Sequence, residues 1–313
     1  MEDEKDRAIV RFRQLLTHQP GELKHYRTLK KLFMETQNKD AAWMACGVLT
    51  LLGQADDPER TFYEENATGE MVASLGSVDE DIWASHLVSR GEDLLLGQVY
   101  QTLYQGLGDK LARKTSKEIG LRKKDEIDLS QRELFTHVFS TSSDILGIAP
   151  LPKVYHSVQS SGMHIEELVP PVIMIGDELR QGKTEQELAF VLGKVLTYFH
   201  PMHLAVCVAP PESLQALFQA TASHFVTDYD GGNGSSPDAV ATIREVLEEL
   251  PSQVRGHLEQ RVQEHVHSGH SLNVHRWLNQ IELTANHAGL FLCNDVVLAG
   301  RMLRSETYKT LFT

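Results

Sequence analysis

The chain has 313 residues, 41% of them hydrophobic, and a formal net charge of −13. That length holds two domains, or one large domain with additions, and enough apolar material for a packed core. The acidic balance argues against a nucleic-acid partner, whose phosphates call for clustered Lys and Arg.

Three cysteines, Cys46, Cys207 and Cys293, lie far apart in apolar neighbourhoods and form no C-x-x-C. They read as buried free thiols in a reducing compartment. The start, MEDEKDRAIVRFRQ, lacks the apolar run of a signal peptide. No segment approaches the roughly 18 continuous apolar residues of a membrane span. The expectation is a soluble, cytoplasmic protein.

In chain order, residues 6–65 read as successive helices. Ala8, Val10, Phe12, Leu15 and Leu16 form one stripe, broken at Pro20-Gly21. Tyr26, Leu29, Leu32 and Phe33 form a second, and Ala42, Cys46, Leu49 and Leu52 a third that stops at Gly53. A displacement of about 34 positions puts Ala8 on Ala42, Phe12 on Cys46 and Leu15 on Leu49, which resembles the tetratricopeptide period. The Trp and Leu-Gly of that family's first helix are missing, and a plain helical hairpin is the alternative. Such helices must stack on another domain or chain to bury their apolar faces.

Residues 80–148 continue the helical pattern through Trp83, Leu94–Leu107 and Leu134–Leu146. A polar interval, Thr115–Gln131, separates the last two pieces. The basic run Arg113 to Lys124 reads as a solvated helix face, with an anionic partner as the alternative. GLGDK at 106–110 lacks the spacing of a phosphate loop. Strands are expected at Val154–Val158 and Pro171–Ile175, then a helix over Thr184–His203. A glycine-rich loop follows at Asp228–Asp238, then helices from about 238 to 267 and a long last one, Leu272–Phe291.

The helix TEQELAFVLGKVLTYFHPMH carries Leu188, Val191, Leu192, Val195, Leu196 and Phe199, the stripe of a helix covered by other elements. A strand, PPVIMIG, precedes it, and NQIELTANHAGLFL follows at 279–292. Over about residues 150–303 this order resembles the HtpX-type and CaaX-protease-like zinc metallopeptidases. In that family the helix reads t-x-x-E-L-a-x-V-L-a-H-E-L-x-H, and a later helix reads E-x-x-A-D-x-x-G. Glu187, Leu188, Ala189, Val191, Leu192, Leu196 and Phe199 hold the first framework. His203 matches a His often found further on. In the second motif Glu282, Ala285 and Gly289 match, while the family's Asp is Asn286.

The resemblance implies two His ligands one turn apart, a Glu general base between them, and the later Glu as third zinc ligand. Here those positions are Lys194, Val195, Tyr198 and Glu282, so only Glu282 remains. Protonated Lys offers no lone pair, and Val accepts no proton. The resemblance therefore implies a vestigial metal site with no cofactor and no catalytic residue. It also implies that Lys194 and Glu282 face each other, with an ion pair or a Tyr198–Glu282 hydrogen bond in place of the metal. Lys194 exposed on the helix surface is the alternative.

His265, His267, His270 and His275 read as surface residues, and His200 and His203 as helix caps. No G-x-S-x-G nucleophile motif occurs.

The expected fold is α+β and predominantly helical. It comprises a tetratricopeptide-like helical segment at 1–65, a helical connecting region at 66–149 and a degenerate metallopeptidase-like domain with a small sheet at 150–313. The expected function is a non-catalytic scaffold or adaptor for protein partners, with a metal-dependent hydrolase using a relocated metal as the alternative.

Overall fold

The computed structural model describes residues 2–111, 114–158, 162–227, 229, 237–269 and 271–305. Its first four helices are α1 (Glu2–His18), α2 (Leu23–Glu35), α3 (Lys39–Leu51) and α4 (Asp57–Asn66). Local chemistry sets their starts. Asn38 accepts from the Ala41 N–H to begin α3, and Asp56 and Glu59 form a reciprocal capping box on α4. Ile9, Leu29, Phe33 and Ala42 make a small core of their own. Arg27 donates to both oxygens of the buried Glu59, tying α2 to α4.

Next come α5 (Glu80–Ile82), a π-helical turn at Trp83–Leu87, α6 (Leu94–Leu107) and α7 (Leu134–Ile145). Between α6 and α7 the chain differs from expectation. Described residues 114–125 form turns and one short 3₁₀ turn, not an α-helix. Here Thr115 and Glu118 bond each other's side chains and backbone, which competes with helical bonding, and Gly120 takes a positive φ of 70°. Two of the basic residues turn to acids: Arg122 to Asp125 at 2.7 Å, and Lys114 to Glu166 and Glu167 at 3.9 Å.

The sheet has three strands, β1 (Val154–His156), β2 (Met163–Glu166) and β3 (Val172–Ile175), in the order β1-β3-β2. β1 runs parallel to β3 and β2 antiparallel to it. β2 was not anticipated. Its four residues alternate buried Met163 and Ile165 with His164 and Glu166, too short a run for periodicity to stand out.

The remaining helices are α8 (Asp177–Arg180), α9 (Glu185–Thr197), α10 (Pro211–Phe225), α11 (Pro237–Glu249), α12 (Ser252–His267), α13 (Val274–Cys293) and α14 (Val296–Ser305). Of the expected loop Asp228–Asp238, residues 228 and 230–236 lie outside the described residues, and α11 begins at Pro237. α10 and α14 were not anticipated. α14 arises because Asn294 ends α13 in the left-handed region (φ 53°), and Asp295 Oδ1 then accepts from the Val297 and Leu298 N–H groups. It packs on α3, where a Cβ on Gly300 would run into Leu51 Cδ1. The Tyr63 hydroxyl donates to Asp295 at 2.6 Å, so the N-terminal helices are joined to the junction of α13 and α14.

One large core spans Met71 to Met302 and gathers α6, α7, the sheet, α9, α10 and α13. The fold is thus α+β and predominantly helical. Among the described residues no helix is long and apolar enough to cross a membrane.

Candidate functional site

The site is made where α9 crosses α13. Thr184 starts α9 with a capping box to Glu187, and Asn273 starts α13 by accepting from the Arg276 N–H. At the crossing both helices present glycine. A Cβ on Gly193 would lie 2.8 Å from Gly289 Cα, and one on Gly289 would lie 2.8 Å from the Phe190 carbonyl oxygen. Any side chain would push the helices apart, so their backbones meet directly. The same virtual Cβ on Gly289 is 3.1 Å from Lys194 Cγ, so the Lys194 stem lies across that glycine.

One and two turns from the crossing, three side chains converge. Lys194 Nζ lies 2.9 Å from Glu282 Oε1, and the Tyr198 hydroxyl donates to Glu282 Oε2 at 2.5 Å. Lys194 is 9% exposed and Tyr198 2%, while the Glu282 side chain keeps 35% of its surface. Lys194 is therefore not on the solvent face of its helix. Its ammonium also sits 6.0 Å from the Phe190 ring centroid, at the reach of a cation–π contact. Val195 is half-buried and packs against the main core.

These residues do not fit a zinc ion. Both oxygens of Glu282 are engaged by donors, the ammonium of Lys194 has no lone pair, and Val195 offers no base. Asn286, one turn after Glu282, has a buried Oδ1 with no hydrogen-bond partner among the described residues. What the trio does is hold charge. A carboxylate that would be costly to bury alone has a cation and a hydroxyl donor.

Beyond the end of α9 the two histidines diverge. His203 is fully buried, its Nδ1 donates to the Thr197 carbonyl at 2.8 Å, and its Nε2 lies 2.7 Å from Glu92 Oε1. It therefore caps α9, as expected, and also grips the loop before α6. The other Glu92 oxygen accepts from the Thr284 hydroxyl, whose oxygen accepts from the Ser89 N–H at 2.9 Å. This chain fastens the loop to α13. His200 does not cap: its Nδ1 is buried without a partner, and burial, with His203 nearby, pushes its pKa down to about 3.

The remaining histidines do not assemble. His265 is buried at 1% exposure, against expectation, because its Nε2 meets Asp93 at 2.9 Å. His267 and His275 are exposed, and His270 lies outside the described residues. Among the described residues no three His, Cys, Asp or Glu side chains are grouped so as to hold a metal ion. All three cysteines are free and buried. Desolvation raises the pKa of each, that of Cys293 to about 12.

Gly193, Glu92 and Thr284 were not singled out from the sequence. Gly193 carried a signal, since a glycine inside a helical stripe costs about 1 kcal/mol and usually has a packing reason. Glu92 and Thr284 carried none, because their partners are distant in sequence. Comparison of the chain with protein-family models, curated proteins and solved structures returns no match.

Proposed function

We propose that this chain is a non-catalytic, peptidase-like scaffold or adaptor that binds protein partners in the cytoplasm. The carrying observation is the closure of Glu282 by Lys194 and Tyr198. On the resemblance to zinc metallopeptidases, Lys194 and Tyr198 stand where the two histidines would be, and Glu282 is the third ligand. In this reading the ammonium supplies the positive charge that zinc would give. The hydroxyl takes the second lone-pair direction, and the helix pair keeps its packing. Val195 at the general-base position leaves no group to activate water. The helices α1 to α4, read as tetratricopeptide-like, supply surface for a partner.

The test is metal content and proteolysis of the untagged protein. After dialysis against zinc the reading expects zinc well below one per chain, and casein and peptide-library cleavage at background. Chelator-sensitive cleavage that is lost in Glu282→Gln would overturn it.

A further inference from the structure

The loop before α6 and the loop before α13 border a cavity of about 570 Å³, whose described wall includes none of Lys194, Tyr198 and Glu282. Gly91 sets the fit between loop and helix. A Cβ there would lie 2.6 Å from Gln280 Oε1, so the loop rests directly on α13, one turn beyond Arg276. The Ser89 hydroxyl donates to the same oxygen at 2.6 Å. The most buried residues of the wall, Leu96 and Trp277, are each 1% exposed and form its floor.

The groups left free on this wall are donors. Arg90 and Arg276 stand exposed on it, and neither meets a carboxylate among the described residues. The two carboxylates of the wall are turned into the fold. Glu92 is held by His203 at 2.7 Å and by the Thr284 hydroxyl. Asp93 is held by His265 at 2.9 Å and by the Leu96 N–H at 3.0 Å. At the start of α6 the Gly97 N–H also bonds to Asp93, but those of Leu94 and Leu95 have no acceptor among the described residues. The Trp277 indole N–H is buried and likewise has no partner among them. Its ring stacks on Tyr100, with centroids 5.0 Å apart, and the Tyr100 hydroxyl is committed to the Leu214 carbonyl at 2.7 Å. A buried donor is costly to leave unmade and calls for an acceptor from outside the chain.

We propose that this cavity binds a small molecule through a phosphate monoester group. Two guanidinium groups match a dianion in charge and in the geometry of their paired N–H donors. The start of α6 adds two backbone N–H groups and the positive end of its dipole. Leu94, Leu95 and Trp277 offer apolar surface to the rest of the ligand, and the volume is that of a small-molecule site. The Trp277 N–H donates to the ligand at the floor. By formal charge the two arginines and two carboxylates cancel, but the carboxylates are already bonded, so an incoming anion meets donors. A monocarboxylate would leave one arginine uncompensated. The inference does not depend on the peptidase-like reading.

The test is isothermal titration of the full chain with phenyl phosphate in about 0.1 M salt, with succinate and a phosphoserine peptide as comparators. The wild type should bind phenyl phosphate at one site with a dissociation constant below about 1 mM. Arg90→Gln and Arg276→Gln should each weaken binding about tenfold or more. Lys24→Gln, at an exposed lysine of α2, should leave it unchanged. Both arginines are exposed, so their variants keep the fold, which circular dichroism checks. Trp277→Phe, which removes the N–H and keeps an aromatic ring, should weaken binding about threefold or more. Absence of saturation by about 10 mM phenyl phosphate would overturn the proposal. So would binding that survives loss of both arginines, or an affinity that Trp277→Phe leaves unchanged. Succinate binding as tightly as phenyl phosphate, or binding of the phosphoserine peptide alone, would overturn the ligand class.

Discussion

Glu282→Gln should destabilise the protein more than Lys194→Met, although both break the same pair. The difference follows from what each change leaves behind. Lys194→Met leaves a carboxylate whose side chain is 35% exposed and still receives the Tyr198 hydroxyl, so water and one donor compensate it. The expected cost is about 1–2 kcal/mol. Glu282→Gln removes the carboxylate charge 2.9 Å from an ammonium whose side chain is only 11% exposed. A cation left short of its counter-charge in such a place costs about 3 kcal/mol. In the double variant neither charge is stranded, so its loss should be smaller than the sum of the singles, with a coupling of about 1–2 kcal/mol. Urea unfolding followed by far-ultraviolet circular dichroism measures all four proteins. Coupling within about 0.3 kcal/mol of zero, or the reverse order of the single variants, would refute the reasoning.

Gly193→Ala should lower stability by about 2–3 kcal/mol despite the gain in helix propensity, because its Cβ would meet backbone atoms that cannot swing away. Gly256→Ala in α12, whose Cβ would meet nothing within 4 Å, should be neutral or stabilising by up to about 1 kcal/mol in the same urea assay. His200 gives a pH prediction. Its folded pKa of about 3 lies below the ordinary value of 6.5, so the unfolded chain takes up a proton that the folded one refuses. Its contribution is whole above pH 6.5 and is lost as pH falls toward 3, at about 1.4 kcal/mol per unit. Between pH 6 and 4, stability of His200→Phe should therefore fall with pH less steeply than that of the wild type, by about one proton's worth of slope; equal slopes would remove His200 from the acid response.

The helices of the N-terminal half were legible because Leu29, Phe33, Ala42 and Cys46 repeat at helical spacing and breaks such as Pro20-Gly21 punctuate them. α14 was not, because its start is encoded by a left-handed Asn294 and an Asp295 cap rather than by periodicity. The pairing of Lys194 with Glu282, 88 positions apart, came from motif order, which records which helices face each other. The burial of His265 and the link from His203 to Glu92 escaped notice because a histidine's surroundings depend on which distant carboxylate folds against it.

The central claim is that Lys194, Tyr198 and Glu282 occupy the positions of three zinc ligands. The most direct measurement is zinc stoichiometry, by elemental analysis, of the untagged Lys194→His, Tyr198→His double variant after dialysis. Both replaced side chains already reach one carboxylate, at 2.9 and 2.5 Å, so two imidazoles one turn apart should converge with Glu282 on one ion. The account predicts about one zinc per chain, lost when Glu282→Gln is added. Zinc no higher than in the wild type, in a variant that remains folded, or zinc that is retained without Glu282, would contradict it.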